Sequence, residues 1–284
     1  MENYLDLGDV SNFRDTDVVM RLTAKGVSNA GRFYTDQNGF QMQRRQLMTD
    51  LGVRANIYPV TNMAYIEDTS TRMSLVVDHA AAATSLSDGS LEVVMDRRAA
   101  YDDGRGLGEG VTDNQDTVHK YWLLLEASPA AAAAAAESVS TPSKLASFLN
   151  RRLNYPVSTF HGRGQPKASA RLMSRGLSCD IHMFNLRTMS SDSDHLKPSG
   201  SALLMLHSQH SEVCSDQPSD EYLECDYSDE GSESKPVFDR LEMSNVVRTT
   251  LTGSPLDQSS ESAGPFKPNP MTIETFKIDL KSSE

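Results

Sequence analysis

Three cysteines in 284 residues cannot build a disulfide framework, so the fold must rest on an apolar core. The chain also has no apolar run approaching the roughly 20 residues of a membrane-spanning helix. Its opening, Met1-Glu2-Asn3-Tyr4-Leu5-Asp6, lacks the basic start and apolar stretch of a signal peptide. Basic residues are in deficit: 27 Lys and Arg stand against 39 Asp and Glu, a net charge of −12. That balance argues against nucleic acid or an anionic membrane surface as a partner.

Several catalytic signatures are missing as well. There is no Gly-x-Ser-x-Gly elbow and no phosphate loop ending in Gly-Lys-Ser/Thr. No histidine stands in a His-x-x-x-His pair with a partner acid, and none in a His-x-Asp pair. His207 and His210 are three apart, but they follow a strand into a polar loop, which is a poor zinc site. His182 alternates with apolar neighbours and reads as a strand residue, facing out or satisfied by a partner.

What is present is β pattern. Val18–Leu22, Asn56–Ile66, Arg72–Val77, Leu91–Asp96, Tyr121–Leu125 and Leu203–His207 read as strands. Turn residues such as Ser87-Asp88-Gly89 separate them. Thr272–Leu280 alternates, with Phe276, Ile278 and Leu280 on one face and Lys277 and Asp279 on the other. Short strands at this spacing predict an all-β chain built as an antiparallel β-sandwich. Composition divides it into a main sandwich portion at 1–126, an Ala/Ser-rich linker at 127–165 and a smaller C-terminal β domain at 166–284. Inside the linker, Pro129 and the alanines to Ala136 allow about two turns of helix, marginal in isolation. The C-terminal part carries a stretch at 212–234 with nine acidic and no basic residues, the composition of a disordered insertion. Ser259–Pro270 reads as a further loop. Cys214 and Cys225 lie on the acidic stretch. They either close a disulfide loop in an oxidising compartment or remain free thiols.

The richest segment follows the strand Leu91–Asp96. From Asp96 to Gly110 it holds three aspartates, three arginines and four glycines. Gly104, Gly106, Gly108 and Gly110 alternate, which permits positive φ and close approach of main chain to another surface. Arg105 lies between two of them with its fork unobstructed. Asp102 and Asp103 are placed to hold a guanidinium in bidentate fashion. Two readings stand: an Arg-Gly turn presented to a polyhydroxylated ligand, or a hairpin loop whose Asp-Arg pairs fix only its own shape. As neighbours in extended backbone, the two aspartates point to opposite faces. They therefore do not form the facing carboxylate pair of a glycosidase.

These residues carry a resemblance. Glu92-Val93-Val94-Met95-Asp96-Arg97-Arg98 followed by Asp102-Asp103-Gly104-Arg105-Gly106-Leu107-Gly108 resembles the C-terminal region of glycoside hydrolase family 38, the class II α-mannosidases. Arg32-Phe33-Tyr34-Thr35-Asp36-Gln37-Asn38-Gly39-Phe40 is similar to a strand of that family, and Ala55-Asn56-Ile57-Tyr58-Pro59-Val60 with Met63-Ala64-Tyr65-Ile66 to another segment. Ser178-Cys179-Asp180-Ile181-His182, Asn185-Leu186-Arg187-Thr188 and Pro270–Phe276 resemble strands of its Golgi mannosidase II branch. Likeness is dense over 30–126, patchy over 145–210 and returns at 270–280.

The resemblance implies a galactose-mutarotase-like supersandwich, entered part-way so that its first strands are missing and a sheet edge is exposed, followed by a smaller β domain. It implies a family reaction: retaining, zinc-assisted hydrolysis of α-mannosyl bonds in mannose-containing N-glycans. The family's zinc ligands and nucleophile belong to an N-terminal catalytic region whose motifs are absent from this sequence. No catalytic residue, metal ligand or cofactor is therefore carried over, and zinc stays with the full-length family. What carries over is the turn, with Arg105 and Gly106 on the substrate side and Asp102 and Asp103 bracing it. Gly104 stands where the Golgi branch commonly has Asn, and Asp-Asp-Gly-Arg-Gly also occurs in the lysosomal branch. Asn38-Gly39-Phe40 and Cys179–His182 point to the Golgi lumen, with the lysosome as the alternative. The competing reading is a non-catalytic carbohydrate-binding or interaction module.

Overall fold

The computed structural model describes residues 1–7, 15–102, 104–106, 108–112, 115–128, 141–164, 177, 181–191, 193–209, 241–256, 269 and 271–282. Pro129 with the alanine run at 130–136, the acidic stretch at 212–234, Asp103, Cys179, His210, Cys214 and Cys225 lie outside the described residues. So does most of the loop at 259–270.

The chain is all-β, and every pairing between described strands is antiparallel. It forms two compact units, one taking in Met1–Ser158 and the other the described residues from Thr159 onward. The first unit contains β1 (Glu2–Leu5), β2 (Asp15–Thr23), β3 (Arg32–Gln37), β4 (Gln41–Gln46), β5 (Tyr58–Val60), β6 (Met63–Glu67), β7 (Thr71–Val77), β8 (Ala81–Thr84), β9 (Ser90–Ala99) and β10 (Thr117–Ala127), followed by α1 (Lys144–Asn154). Six strands form a sheet in the order β1-β10-β7-β6-β3-β4, and four form a second in the order β2-β9-β8-β5.

Alternation along the strands explains why these sheets face each other. Phe33, Ala64, Ile66, Met73, Leu75, Val77 and Tyr121 of the larger sheet share one buried cluster with Val60, Ala83, Leu91 and Val93 of the smaller. Removal of those side chains from water is the main favourable term for this unit. β7 is buried along nearly its whole length because its second face is also covered. There Met63 and Val76 meet Ala146 of α1, with Trp122, Leu124 and Leu153 packed around them.

Two departures from the sequence reading have local causes. Asn56–Ile66 reads as one strand, yet it breaks into a 3-10 turn at Val53–Asn56, then β5, then β6. The break lies where the Asp36 carboxylate gathers the N–H groups of Thr61, Asn62 and Met63, turning the chain from one sheet into the other. Residues 144–154, inside the segment assigned to a linker, form α1 instead. The Ser143 hydroxyl accepts a hydrogen bond from Ala146 N at 3.0 Å, capping the helix start. Packing on the sheet then supplies what a lone helix of this length lacks. Composition highlighted the alanines and missed the capped segment after them.

The turn at Ser87-Asp88-Gly89 forms as read. Gly89 has φ +67°, and a Cβ there would sit 2.6 Å from the Ala24 carbonyl oxygen, so no other residue fits without a shift. At the opposite border, β1 pairs only with Thr117–Lys120 of β10. Tyr121 N donates to Met1 O at 2.8 Å, and beyond it no described strand pairs with the outer edge of β10. On that stretch Leu123 is 42% and Leu125 62% exposed, although both lie opposite core residues of β7.

The second unit is a sheet of β11 (Ile181–Ser190), β12 (Pro198–Ser208), β13 (Leu241–Thr249) and β14 (Ile273–Ser282), in the order β11-β12-β14-β13. Phe276 and Ile278 are buried in its core and Leu280 packs against them, the face the alternation predicts.

Candidate functional site

β9 ends in the loop that the sequence singles out, and the structure shows how the loop is mounted. Arg97 pairs with Asp17 of β2 at 3.1 Å, and Ala100 N donates to Asp15 Oδ1 at 3.0 Å. The neck is closed by an antiparallel bridge between Ala99 and Val111, where Ala99 N donates to Val111 O at 2.9 Å. Arg98 Nη1 donates to Thr112 O at 3.1 Å. A Cβ on Gly110 would lie 2.3 Å from the Ala99 carbonyl oxygen, so the neck requires glycine at that position.

Within the loop, Gly104 and Gly108 hold φ of +77° and +78°. The Asp102 carboxylate accepts the Gly104 N–H at 2.8 Å and so fixes the turn from inside. Its other oxygen lies 3.8 Å from where a Gly106 Cβ would stand. Arg105 and Gly106 are exposed between these turns. Of the residues singled out from sequence, the structure therefore brings Asp102, Arg105 and Gly106 into one short loop. Asp103, Cys214 and Cys225 are outside the described residues. His182 is a half-buried residue of β11, opposite His207 of β12.

A second polar cluster escaped the sequence reading. His79, just after β7, and His119, on β10, bring their rings to 4.6 Å between centroids. The His79 Nδ1 is 2.6 Å from Asp78 Oδ1, and the His119 Nε2 is 3.0 Å from the Thr117 hydroxyl. His119 is buried, and its Nδ1 has no hydrogen-bond partner; the same holds for the Tyr121 hydroxyl two residues on. Burial, then the neighbouring His79, hold His119 below the usual imidazole range, while Asp78 and Asp96 pull the other way. Burial, with the Asp78 charge, pushes Tyr121 up to about 12. Forty residues separate the two histidines in sequence, so only the pairing of β7 with β10 could reveal them. Among the described residues no group of three His, Cys, Asp or Glu side chains is arranged to hold a metal ion.

The cluster gives a stability prediction with a definite sign. His119 takes up its proton in the unfolded chain near its ordinary value and in the folded chain only at lower pH. Folding stability is therefore unaffected above that ordinary value and falls as pH drops below about 6.5 towards the folded value. Asp68 has its carboxyl lowered to about 2 by the N–H groups of Ser70 and Thr71, and its contribution is lost only at much more acid pH. Thermal unfolding between pH 7.5 and 5 separates the two. The chain is expected to lose stability across this window and the His119→Gln variant to show a flatter profile; equal slopes would remove His119 as the cause.

Residues 2–105 match the family described as Glycosyl hydrolases family 38 C-terminal domain, a match that ends on Arg105. An Alpha-mannosidase 2 of Spodoptera frugiperda is 31% identical over 98% of this chain and 26% of its own length. An Alpha-mannosidase 2 of Mus musculus is 33% identical over 96% of this chain and 24% of its own length. The chain thus spans about a quarter of these relatives. Among solved structures, an alpha-mannosidase from Enterococcus faecalis V583 superimposes with a TM-score of 0.53 over 92% of this chain and 25% of that one. Its 12% sequence identity carries the likeness of fold alone. By sequence match, this chain belongs to glycoside hydrolase family 38, within the family's C-terminal domain.

Proposed function

We propose that the chain is the sugar-facing β portion of a Golgi-type α-mannosidase that hydrolyses α-mannosyl bonds of N-glycans. In this reading Arg105 and Gly106 contact the substrate and Asp102 holds their turn. The observation that carries it is the mounting of the loop. A glycine-closed neck and the Asp102–Gly104 bond hold the backbone of an exposed Arg-Gly pair, so its main chain is preorganised for a ligand at little cost in entropy. A guanidinium offers several donors in a rigid fork, which suits adjacent sugar hydroxyls. Glycine at 106 leaves the adjacent backbone open to close approach. The Asn38-Gly39-Phe40 motif supports the Golgi lumen, and a match to a Lysosomal alpha-mannosidase of Mus musculus keeps the lysosome as the alternative.

The zinc that the resemblance implies for full-length members finds no three-donor set among the described residues. The nucleophile is likewise assigned to a separate catalytic region. The chain alone is therefore expected to bind a mannose-containing oligosaccharide weakly, on the order of 1 mM, and not to cleave it. Titration of the labelled chain with α-1,3/α-1,6-mannotriose should shift the Arg105 and Gly106 amides, and Arg105→Ala should remove the response. Shifts confined to other residues would sink the loop assignment. Turnover of an α-mannoside by the purified chain would overturn the division of labour. Binding that persists unchanged when a catalytic region is supplied, with no turnover, would favour a non-catalytic carbohydrate-binding module.

A further inference from the structure

The loop that carries Arg105 also carries an aromatic side chain. Tyr101 is the single aromatic residue between Asp96 and Thr112, and it is 54% exposed. Other tyrosines of the first unit are engaged within the fold. Tyr34 stacks on Tyr65, Tyr58 packs edge-on against Phe33, Tyr121 lies parallel to the His119 ring, and the Tyr4 hydroxyl bonds Asp116. Among the described residues, nothing bonds to or stacks on the Tyr101 side chain. A lone exposed aromatic is ordinary. What sets Tyr101 apart is a backbone fastened on both sides. Ala100 N donates to Asp15 Oδ1 at 3.0 Å just before it, and the Asp102 carboxylate accepts the Gly104 N–H at 2.8 Å just after it. Tyr101 and Arg105 are four residues apart. Even fully extended chain would separate them by no more than about 14 Å, and the turn at Gly104 shortens that. Around Arg105, Gly104 and Gly108 have open space where a Cβ would stand, with no described atom within 4 Å beyond their chain neighbours.

We infer that Tyr101 is a sugar-binding residue that stacks its ring on the C–H face of a pyranose whose hydroxyls reach Arg105, and so selects a cyclic sugar over an open-chain polyol. This rests on the proposed sugar-facing role of the loop. A hexopyranose has two kinds of surface. Its hydroxyls suit the donors of a guanidinium and of main-chain N–H groups. Its axial C–H groups form a small apolar patch that hydrogen bonds do not hold. The face of an aromatic ring carries partial negative charge and attracts the partly positive hydrogens of such a patch. Contact also removes apolar surface of both partners from water. Tyrosine costs little to immobilise, since only two side-chain torsions are fixed. An Arg-Gly turn alone accepts any run of adjacent hydroxyls, whereas an aromatic ring beside it demands the shape of a cyclic sugar.

The test is titration of the labelled chain, and of its Tyr101→Ala and Tyr101→Phe variants, with α-1,3/α-1,6-mannotriose and separately with mannitol. The Arg105 and Gly106 amides report on the loop. The sugar C–H resonances report on the ring, whose current moves protons over its face upfield. In the parent chain the mannotriose protons should move upfield. Tyr101→Ala should abolish that movement and weaken mannotriose roughly fivefold, the scale of one aromatic contact. It should leave mannitol binding and the melting temperature unchanged, since the side chain is exposed. Tyr101→Phe should keep both affinity and upfield shift, because the face rather than the hydroxyl makes the contact. Parental affinity in Tyr101→Ala, an equal loss in Tyr101→Phe, or mannitol weakened as much as mannotriose overturns the inference. Where the Arg105 and Gly106 amides still respond in such a case, the loop keeps its role without Tyr101. Silent amides with an upfield shift that Tyr101→Ala abolishes sink the Arg105 contact and leave the Tyr101 contact standing. Silence at every position overturns both.

Discussion

Asp36→Ala is expected to lower the stability of the sandwich unit by about 3–5 kcal/mol, because it leaves several buried N–H groups without an acceptor. The carboxylate is buried between β3 and the β5–β6 turn. Its Oδ1 accepts from Thr61 N at 2.9 Å, Asn62 N at 3.0 Å and Met63 N at 3.0 Å, and its Oδ2 accepts from Asn62 N at 3.0 Å. Burial outweighs these bonds and pushes the carboxyl upward. Its value to the fold is therefore as an acceptor at a crossover rather than as a favourable charge. Alanine offers the three N–H groups nothing in return. Asparagine keeps one oxygen and should cost less, about 1–2 kcal/mol. Thermal unfolding should show the difference as a drop of roughly 10 °C for alanine, at about 2–4 °C per kcal/mol for a unit of this size. A parental melting temperature for Asp36→Ala would mean that the turn is held by packing alone.

The second large effect belongs to Arg72. Its guanidinium is buried, with Nη2 2.8 Å from Glu67 Oε2, Nε also bonded to Glu67, Nη1 donating to Thr141 O at 3.1 Å, and the Tyr65 ring 4.4 Å beneath it. Tyr65 in turn stacks on Tyr34 at 4.4 Å. Removing the cation leaves the mostly buried Glu67 carboxylate without its counter-ion, which costs up to about 3–5 kcal/mol where burial is complete. Arg72→Met, which keeps most of the packing volume, isolates that electrostatic cost. The paired change Arg72→Met/Glu67→Leu should recover most of the loss, since a buried ion pair is often matched by apolar residues of like volume. The bond to Thr141 adds a local readout. It anchors the approach to α1, so amide exchange in the helix should speed up in Arg72→Met more than exchange in β9. A double variant no more stable than the single one would show that Glu67 was never dependent on Arg72.

These two residues also show what the sequence could and could not disclose. Strands such as Arg72–Val77 and Leu91–Asp96 were legible because their apolar residues follow the two-residue period or run unbroken where both faces are covered. The Ser87-Asp88-Gly89 turn was legible because its residues carry their own conformational preference. Asp36 was visible only as a letter within a resembling motif. Its role depends on a turn 25 to 27 residues away meeting it in space. His79 and His119 were equally hidden, as was α1, whose stability comes from the sheet beneath it rather than from its own propensity. For the loop, local pattern disclosed the glycines and the Arg-Gly pair. It did not disclose the neck, because Asp15 and Asp17 lie more than eighty residues upstream of the loop they help fix. Local chemistry is written locally, whereas anchorage depends on topology.

The neck has a practical consequence. Because Ala99, Val111, Gly110 and the β2 aspartates fasten both ends independently of what lies between, residues 101–109 form a cassette. Their length and composition can be exchanged while the two sheets stay as they are. Libraries built there would explore recognition on a scaffold already paid for in folding free energy, and homologous loops could be transplanted into this frame one at a time.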